Sequence, residues 1–186
     1  MTESISQSPA PKKKKAAARK AAKAAFDPRI VVFACNWCSY AGADTAGVSR
    51  IQHQPHFRMI RVMCSGRIQP AFVLRAFEKG ADGVLVSGCH FGDCHYIFGN
   101  ERAVEQFEKT MNVVKLLGIE EGRLRLEWIS AAEGARFAEV IDEFTDQVRS
   151  LGPSPFATSD SIDEIEIPDA DTDTDADAGK GKEMEA

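Results

Sequence analysis

Five cysteines punctuate this chain of 186 residues: Cys35, Cys38, Cys64, Cys89 and Cys94. Cys35-x-x-Cys38 is a spacing whose tight turn brings two sulfurs to one metal. Cys89 and Cys94 lie within Gly88-Cys89-His90-Phe91-Gly92-Asp93-Cys94-His95, where glycines let the backbone wrap a bulky group. Thiolate sulfur takes zinc or the iron of iron–sulfur clusters, and either normally needs four protein ligands. Five cysteines supply four with one to spare. The odd count and the spacings do not resemble a small secreted disulfide framework.

Three chemistries fit these residues. One is a [2Fe–2S] or related cluster for electron transfer. A second is a zinc-stabilised interaction module, weakened because no second C-x-x-C is present. A third is a C-x-x-C thiol–disulfide oxidoreductase on Cys35 and Cys38. Such a motif should start a helix directly, whereas Ser-Tyr-Ala-Gly-Ala-Asp after Cys38 predicts a delayed one. The dithiol reading also leaves Cys64, Cys89 and Cys94 without a role.

Other polar groups read as neighbours. His90 and His95 flank the cysteine loop without being needed as ligands, and His53 and His56 read as loop residues. Arg67 either donates to an anionic cluster or is solvated; Trp37 either shields a cluster or covers the core. Ser65-Gly66 before a helix is too little for an anion site. There is no G-x-G-x-x-G, no P-loop and no Ser/His/Asp set, and no catalytic side chain is expected.

The elements that must position the cysteines follow from apolar patterning. Ile30 to Ala34 and Asp82 to Ser87 are strands buried on both faces. Phe57 to Met63, interrupted by Arg58 and Arg61, and Leu124 to Trp128, alternating with Arg123, Arg125 and Glu127, are edge strands. A short helix is expected within 41–48. Pro70 opens a helix that Gly80 closes. Asn100 is expected to cap the helix 101–117, with Val104, Phe107, Met111 and Val114 as its stripe. Ser130 and Glu133 predict a capping box for the last helix, whose stripe is Phe137, Ile141, Phe144, Val148 and Leu151.

Strands alternating with helices predict an α/β fold: a small doubly wound, mostly parallel four-stranded sheet, flavodoxin-like in outline, order 2-1-3-4. Ligands then bind beyond the carboxyl ends of the strands, at the switch point between the first and third. Cys35, Cys64 and Cys89 each fall just past such an end.

Charge is concentrated in the termini. Residues 1–25 hold seven basic residues and one acid, and 158–186 hold eleven acids and two lysines. We expect a disordered basic extension over 1–25, an α/β iron–sulfur domain over 26–152 and a disordered acidic tail over 153–186. The central part is near neutral, with 14 basic and 16 acidic residues over 26–157. No membrane span and no secretory signal are read from the chain, and a cytoplasmic location is expected.

Four segments together carry a family resemblance. They are Cys-Asn-Trp-Cys-Ser-Tyr-Ala-Gly-Ala-Asp at 35–44, Arg-Val-Met-Cys-Ser-Gly-Arg at 61–67, Gly-Ala-Asp-Gly-Val-Leu-Val-Ser-Gly-Cys-His-Phe-Gly-Asp-Cys-His-Tyr at 80–96 and Arg-Leu-Arg-Leu-Glu-Trp-Ile-Ser at 123–130. They closely resemble the methyl-viologen-reducing hydrogenase delta subunit family, over roughly residues 29–152. The resemblance implies a [2Fe–2S] protein of anaerobes that works in flavin-based electron bifurcation. Its donor would be a hydrogenase, a formate dehydrogenase or a similar module. Its acceptor would be the FAD-containing subunit of a heterodisulfide-reductase-type complex. It also implies cluster ligands among Cys35, Cys38, Cys64, Cys89 and Cys94. A nucleic-acid partner for the basic N-terminal arm is not expected.

Overall fold

The structure, a computed structural model, describes residues 26–157, so the expectations for 1–25 and 158–186 lie outside the described residues. Strand β1 (Ile30–Cys35) is apolar throughout and runs through the middle of the sheet. It pairs in parallel with β2 (Phe57–Val62) from Ile30 opposite Phe57 to Cys35 opposite Val62. On its other side it pairs in parallel with β3 (Gly83–Gly88), from Ile30 opposite Gly83 to Ala34 opposite Ser87. Strand β4 (Leu124–Trp128) completes the sheet beside β3, in the order β2-β1-β3-β4. All three pairings are parallel, and the predicted order is the observed one.

Four helices cover the sheet: α1 (Ser39–Val48), α2 (Pro70–Glu78), α3 (Gly99–Leu116) and α4 (Gly134–Leu151). Side chains alternate across a strand, so β1 and β3 feed two cores. Ile30, Val32, Ala34 and Leu85 pack with Ala46 of α1 and with Phe137, Ile141, Phe144 and Val148 of α4. Phe33, Val84 and Val86 pack on the opposite face with Val73 and Phe77 of α2 and Val114 of α3. Pro70 stands in the first turn of α2, and Gly80, at φ +88°, follows its end in the left-handed conformation that glycine tolerates.

Local expectations fail where tertiary contacts override them. Helix α1 begins at Ser39, immediately after Cys38, rather than after a delay. The Ser39 hydroxyl donates to the Gly88 carbonyl at 3.2 Å, which pins the helix start to the end of β3. Asn100 does not cap α3. The helix begins at Gly99, and the Asn100 side chain is shared: its oxygen accepts from the Glu101 N–H at 3.0 Å while its amide N–H holds the cysteine loop. Glu133 accepts from the Ser130 N–H at 2.7 Å, as a capping box requires. The return bond, however, runs from the Glu133 N–H to the Ser130 carbonyl, and α4 starts only at Gly134. Leu151, expected in the α4 stripe, is exposed.

The polar face of β4 is not open to solvent. Arg125 and Glu127 are paired there, and α4 brings Arg136 and Glu143 over them. Arg123, expected on that exposed face, is among the most buried side chains. Its guanidinium donates to the carbonyls of Asp82 (3.1 Å), Gly152 (2.8 Å) and Pro153 (3.0 Å) and pairs with Glu120. Asp82, also buried, accepts from the Arg29 N–H and the Ser154 N–H at 2.8 Å each. These contacts hold the chain past the Gly152–Pro153 boundary expected from the sequence.

A truncated Arg123 leaves four carbonyls, those of Asp82, Leu151, Gly152 and Pro153, without their donor, each an unsatisfied group worth about 1–3 kcal/mol if it stays dry. Arg123→Ala should lower unfolding free energy by about 3 kcal/mol in a urea titration. Arg136→Ala, at a half-exposed network edge, should cost under about 1 kcal/mol.

Candidate metal centre

Each sulfur reaches the carboxyl edge of the sheet by a separate route. Cys35 is the last residue of β1, and Cys89 follows directly after β3; each is 1% exposed. Cys38 is the residue before α1 and is also buried. Cys64 follows β2, one residue past Met63, and leads into a 3-10 turn at Ser65–Arg67. Cys94 sits in the loop between β3 and α3. The Asn100 amide holds that loop by donating to the carbonyls of His90 (2.9 Å) and Cys89 (3.4 Å).

All five thiols are free. The Cys35 and Cys89 sulfurs are 3.7 Å apart. Two thiolates on one tetrahedral metal, with metal–sulfur bonds of about 2.3 Å, stand about 3.8 Å apart. Cys38 packs with this pair, and Cys94 lies against the three. Cys64 and Cys94 form a second pair over Gly99. A Cβ at that position would collide with the Cys64 sulfur and come within 2.9 Å of the Cys94 sulfur. Glycine is required there because the two sulfurs occupy the space of a side chain. Among the described residues no three His, Cys, Asp or Glu side chains form a ready-made single-ion site. The thiols instead fall into neighbouring subsets along one edge, an arrangement compatible with the two irons of a [2Fe–2S] cluster under Cys₄ ligation.

The Cys89 thiol lowers the Cys35 pKa to about 6 by hydrogen bonding. Backbone N–H groups of Trp37, Cys38 and Ser65 help, against the cost of burial. Cys89 is pushed up by the same bond and by its own burial. Burial raises Cys38 and Cys64, and the Cys64 thiol also interacts with Cys94. An environment with donors already aimed at one sulfur suits an anionic thiolate ligand.

The remaining predicted residues take bystander positions. His90 Nε2 lies 2.7 Å from Glu133 Oε2, beside the start of α4 rather than against a sulfur. His95 stacks on Trp37 with ring centroids 3.9 Å apart. Trp37 is partly exposed and walls the mouth of the site instead of joining the core. Arg67 is exposed beyond Cys64. His53 packs on Phe57 and Phe137, and His56 faces Asp27. Gly99 and Asn100 are parts of the site that sequence reasoning missed. The Gly-Asn pair at the start of a helix, five residues after Cys94, was the available signal.

The direct start of α1 removes the sequence argument against a dithiol enzyme at Cys35 and Cys38. Access supplies a different one. An attacking thiolate must meet its substrate disulfide, whereas Cys35 and Cys38 are both buried and the bond partner of Cys35 is Cys89.

Fold and site define an α/β protein whose ligand edge is lined by thiols. Residues 30–152 match the family model of the methyl-viologen-reducing hydrogenase delta subunit, and the chain belongs to that family. It is 51% identical over 128 residues to the iron-sulfur subunit of the vhc F420-non-reducing hydrogenase of Methanococcus voltae, covering 69% of this chain and 89% of that one. It is 50% identical over 131 residues to the iron-sulfur subunit of an F420-non-reducing hydrogenase of Archaeoglobus profundus, covering 70% and 96%. It is also 52% identical over 126 residues to part of a subunit of the ferredoxin/F(420)H(2)-dependent CoB-CoM heterodisulfide reductase of Methanosarcina acetivorans. That match covers 68% of this chain but 16% of the relative. These relatives are subunits of hydrogenase and heterodisulfide reductase complexes.

In the reduced, metal-free protein one thiolate per chain should ionise with a midpoint near pH 6, read from ultraviolet thiolate absorbance. Cys89→Ser should move that midpoint upward. Folded Cys35 ionises near 6 and unfolded Cys35 near its ordinary value of 9.0, so the unfolded chain holds the extra proton between them. Cys35 therefore makes stability rise with pH across that window, and its contribution is absent below it.

Proposed function

We propose that this chain is an iron–sulfur electron-transfer protein. It holds a [2Fe–2S] cluster with four of Cys35, Cys38, Cys64, Cys89 and Cys94. It relays electrons between a hydrogenase or other dehydrogenase module and the flavin subunit of a heterodisulfide-reductase-type complex. The observation that carries this reading is the gathering of five free thiols from separate chain segments at one sheet edge. No folding need of a domain with two apolar cores explains that gathering.

When bound, the cluster would supply one-electron redox chemistry. The chain's own residues do the rest. Backbone N–H groups of Trp37, Cys38 and Ser65 face the Cys35 sulfur, and such bonds tune the potential of a cluster. Phe33 and Ile68 belong to the core beneath the edge and keep its inner side dry. Trp37, stacked on His95, limits water from outside. In this reading the protein serves an oxidoreductase complex and has no reaction of its own. Similarity both to separate hydrogenase iron-sulfur subunits and to a segment of a heterodisulfide reductase supports partners of those two kinds. No helix among the described residues is long and apolar enough to cross a membrane. The cytoplasm is part of the proposed reading and does not follow from that.

Anaerobically purified protein should contain iron and acid-labile sulfide in equal amounts and give an EPR signal on dithionite reduction. Stoichiometric zinc without iron in carefully reconstituted protein would sink the reading. Gly99→Ala should lose most of its iron and sulfide while keeping its far-ultraviolet circular dichroism, because the added methyl displaces the Cys64 and Cys94 sulfurs.

A further inference from the structure

The loop between Cys94 and α3 contains a backbone conformation that its residue type disfavours. Ile97 has φ +68°. The Phe98 N–H donates to the Tyr96 carbonyl at 2.8 Å, so Ile97 is the middle residue of a γ-turn of the rarer, positive-φ kind. A β-branched side chain at positive φ is a genuine outlier. Gly92, in the same loop, reaches φ +90° as a glycine, without that strain. The Ile97 side chain does not offset the strain inside the fold: it is 71% exposed and belongs to neither core.

Ile97 also does not stand alone. Trp37, Met63, Phe91, Tyr96 and Phe98 are each at least 41% exposed, and each lies within four residues of one of the five cysteines. Trp37 and Tyr96 are in ring contact there, and exposed apolar residues gathered around one site mark contact surfaces. One flank of the rim is basic. No Asp or Glu occurs between Asp44 and Glu78. Arg61, near the end of β2 and over the Tyr40 ring, and Arg67, just beyond β2, are exposed and have no ion-pair partner among the described residues. The matching surface must therefore offer an apolar pocket with acidic groups on one side. In the Methanosarcina acetivorans relative, the matching segment is continuous with the rest of a heterodisulfide reductase polypeptide.

We propose that Ile97, held out by its strained turn at the mouth of the thiol site, is the apolar anchor that docks this chain into a pocket of a heterodisulfide-reductase-type partner. The inference rests on the electron-relay reading. The anchor brings the thiol edge against its partner, and Arg61 and Arg67 steer the approach.

The test uses the full chain with its cluster loaded. Its partner in the assay is the host's own counterpart of the heterodisulfide reductase relative, purified separately, in anaerobic biolayer interferometry. Ile97→Gly keeps the turn, since glycine adopts φ +68° freely, and removes only the side chain. Binding should weaken by about tenfold or more, the loss typical of an anchor. The melting temperature should not fall, and the EPR spectrum should not change. Arg61→Glu with Arg67→Glu should slow association and flatten its salt dependence. Undiminished binding by Ile97→Gly overturns the anchor and leaves the relay standing. A loss of cluster or of melting temperature in Ile97→Gly also overturns it, by showing that the side chain serves its own fold. No binding by the unaltered chain overturns the relay reading and the docking together.

Discussion

The parallel, in-register pairing of β1 with β3 is the constraint on which the rest depends. Ile30 lies opposite Gly83, and both strands run six residues, so they end side by side. Cys35 and Cys89, 54 residues apart in sequence, are delivered to 3.7 Å by that register. A slip of one residue would turn alternate side chains to the other face. It would break both cores and separate the sulfurs at once. The pairing is strongly specified because both strands are buried on both faces, which leaves no solvent-facing side to tolerate an error.

Around this edge, polar groups that elsewhere would cap or solvate are used as tethers. The Ser39 hydroxyl ties α1 to Gly88, and the Asn100 amide ties α3 to the loop that carries Cys94. Gly99 removes a side chain where two sulfurs need the room. The opposite end of the sheet is built differently. There Asp82 and Arg123, both buried, satisfy backbone groups from the β1 approach and from the chain beyond α4. Charge at that end closes the domain, whereas the thiol end carries the exposed aromatic rim. Stability and chemistry are thereby assigned to opposite ends of the same strands, as is usual for open α/β sheets.

A buried thiol cluster is an unusual thing for a core to contain, because its charged form is costly to desolvate. The protein answers that cost with directed hydrogen bonds on Cys35 and with mutual contact among the sulfurs. A cluster bound there would meet preorganised donors on its inner side and an apolar rim on its outer side. Under the proposed function, the inner donors would set the electronic environment of the cluster and the rim would remain for a partner.

The sequence by itself determined the architecture and the location of the site. Two continuous apolar runs named the central strands, two interrupted ones named the edges, and short α/β connections then allowed few topologies. Cysteines at three strand ends placed the site at the carboxyl edge, and the five thiols limited its chemistry to soft metals or redox. Tertiary structure alone decided which thiols are neighbours. The approach of Cys35 to Cys89, or of Cys64 to Cys94 over Gly99, depends on register and helix placement rather than on spacing along the chain. It alone decided that Arg123 is buried and that Arg125 and Glu127 are covered. An alternating pattern reports polarity, not whether a helix such as α4 brings matching charges over it. It alone revealed the α1 start at Ser39 and the positive φ of Ile97. Local propensity argues against both, and only contacts and turns imposed by the folded chain hold them in place.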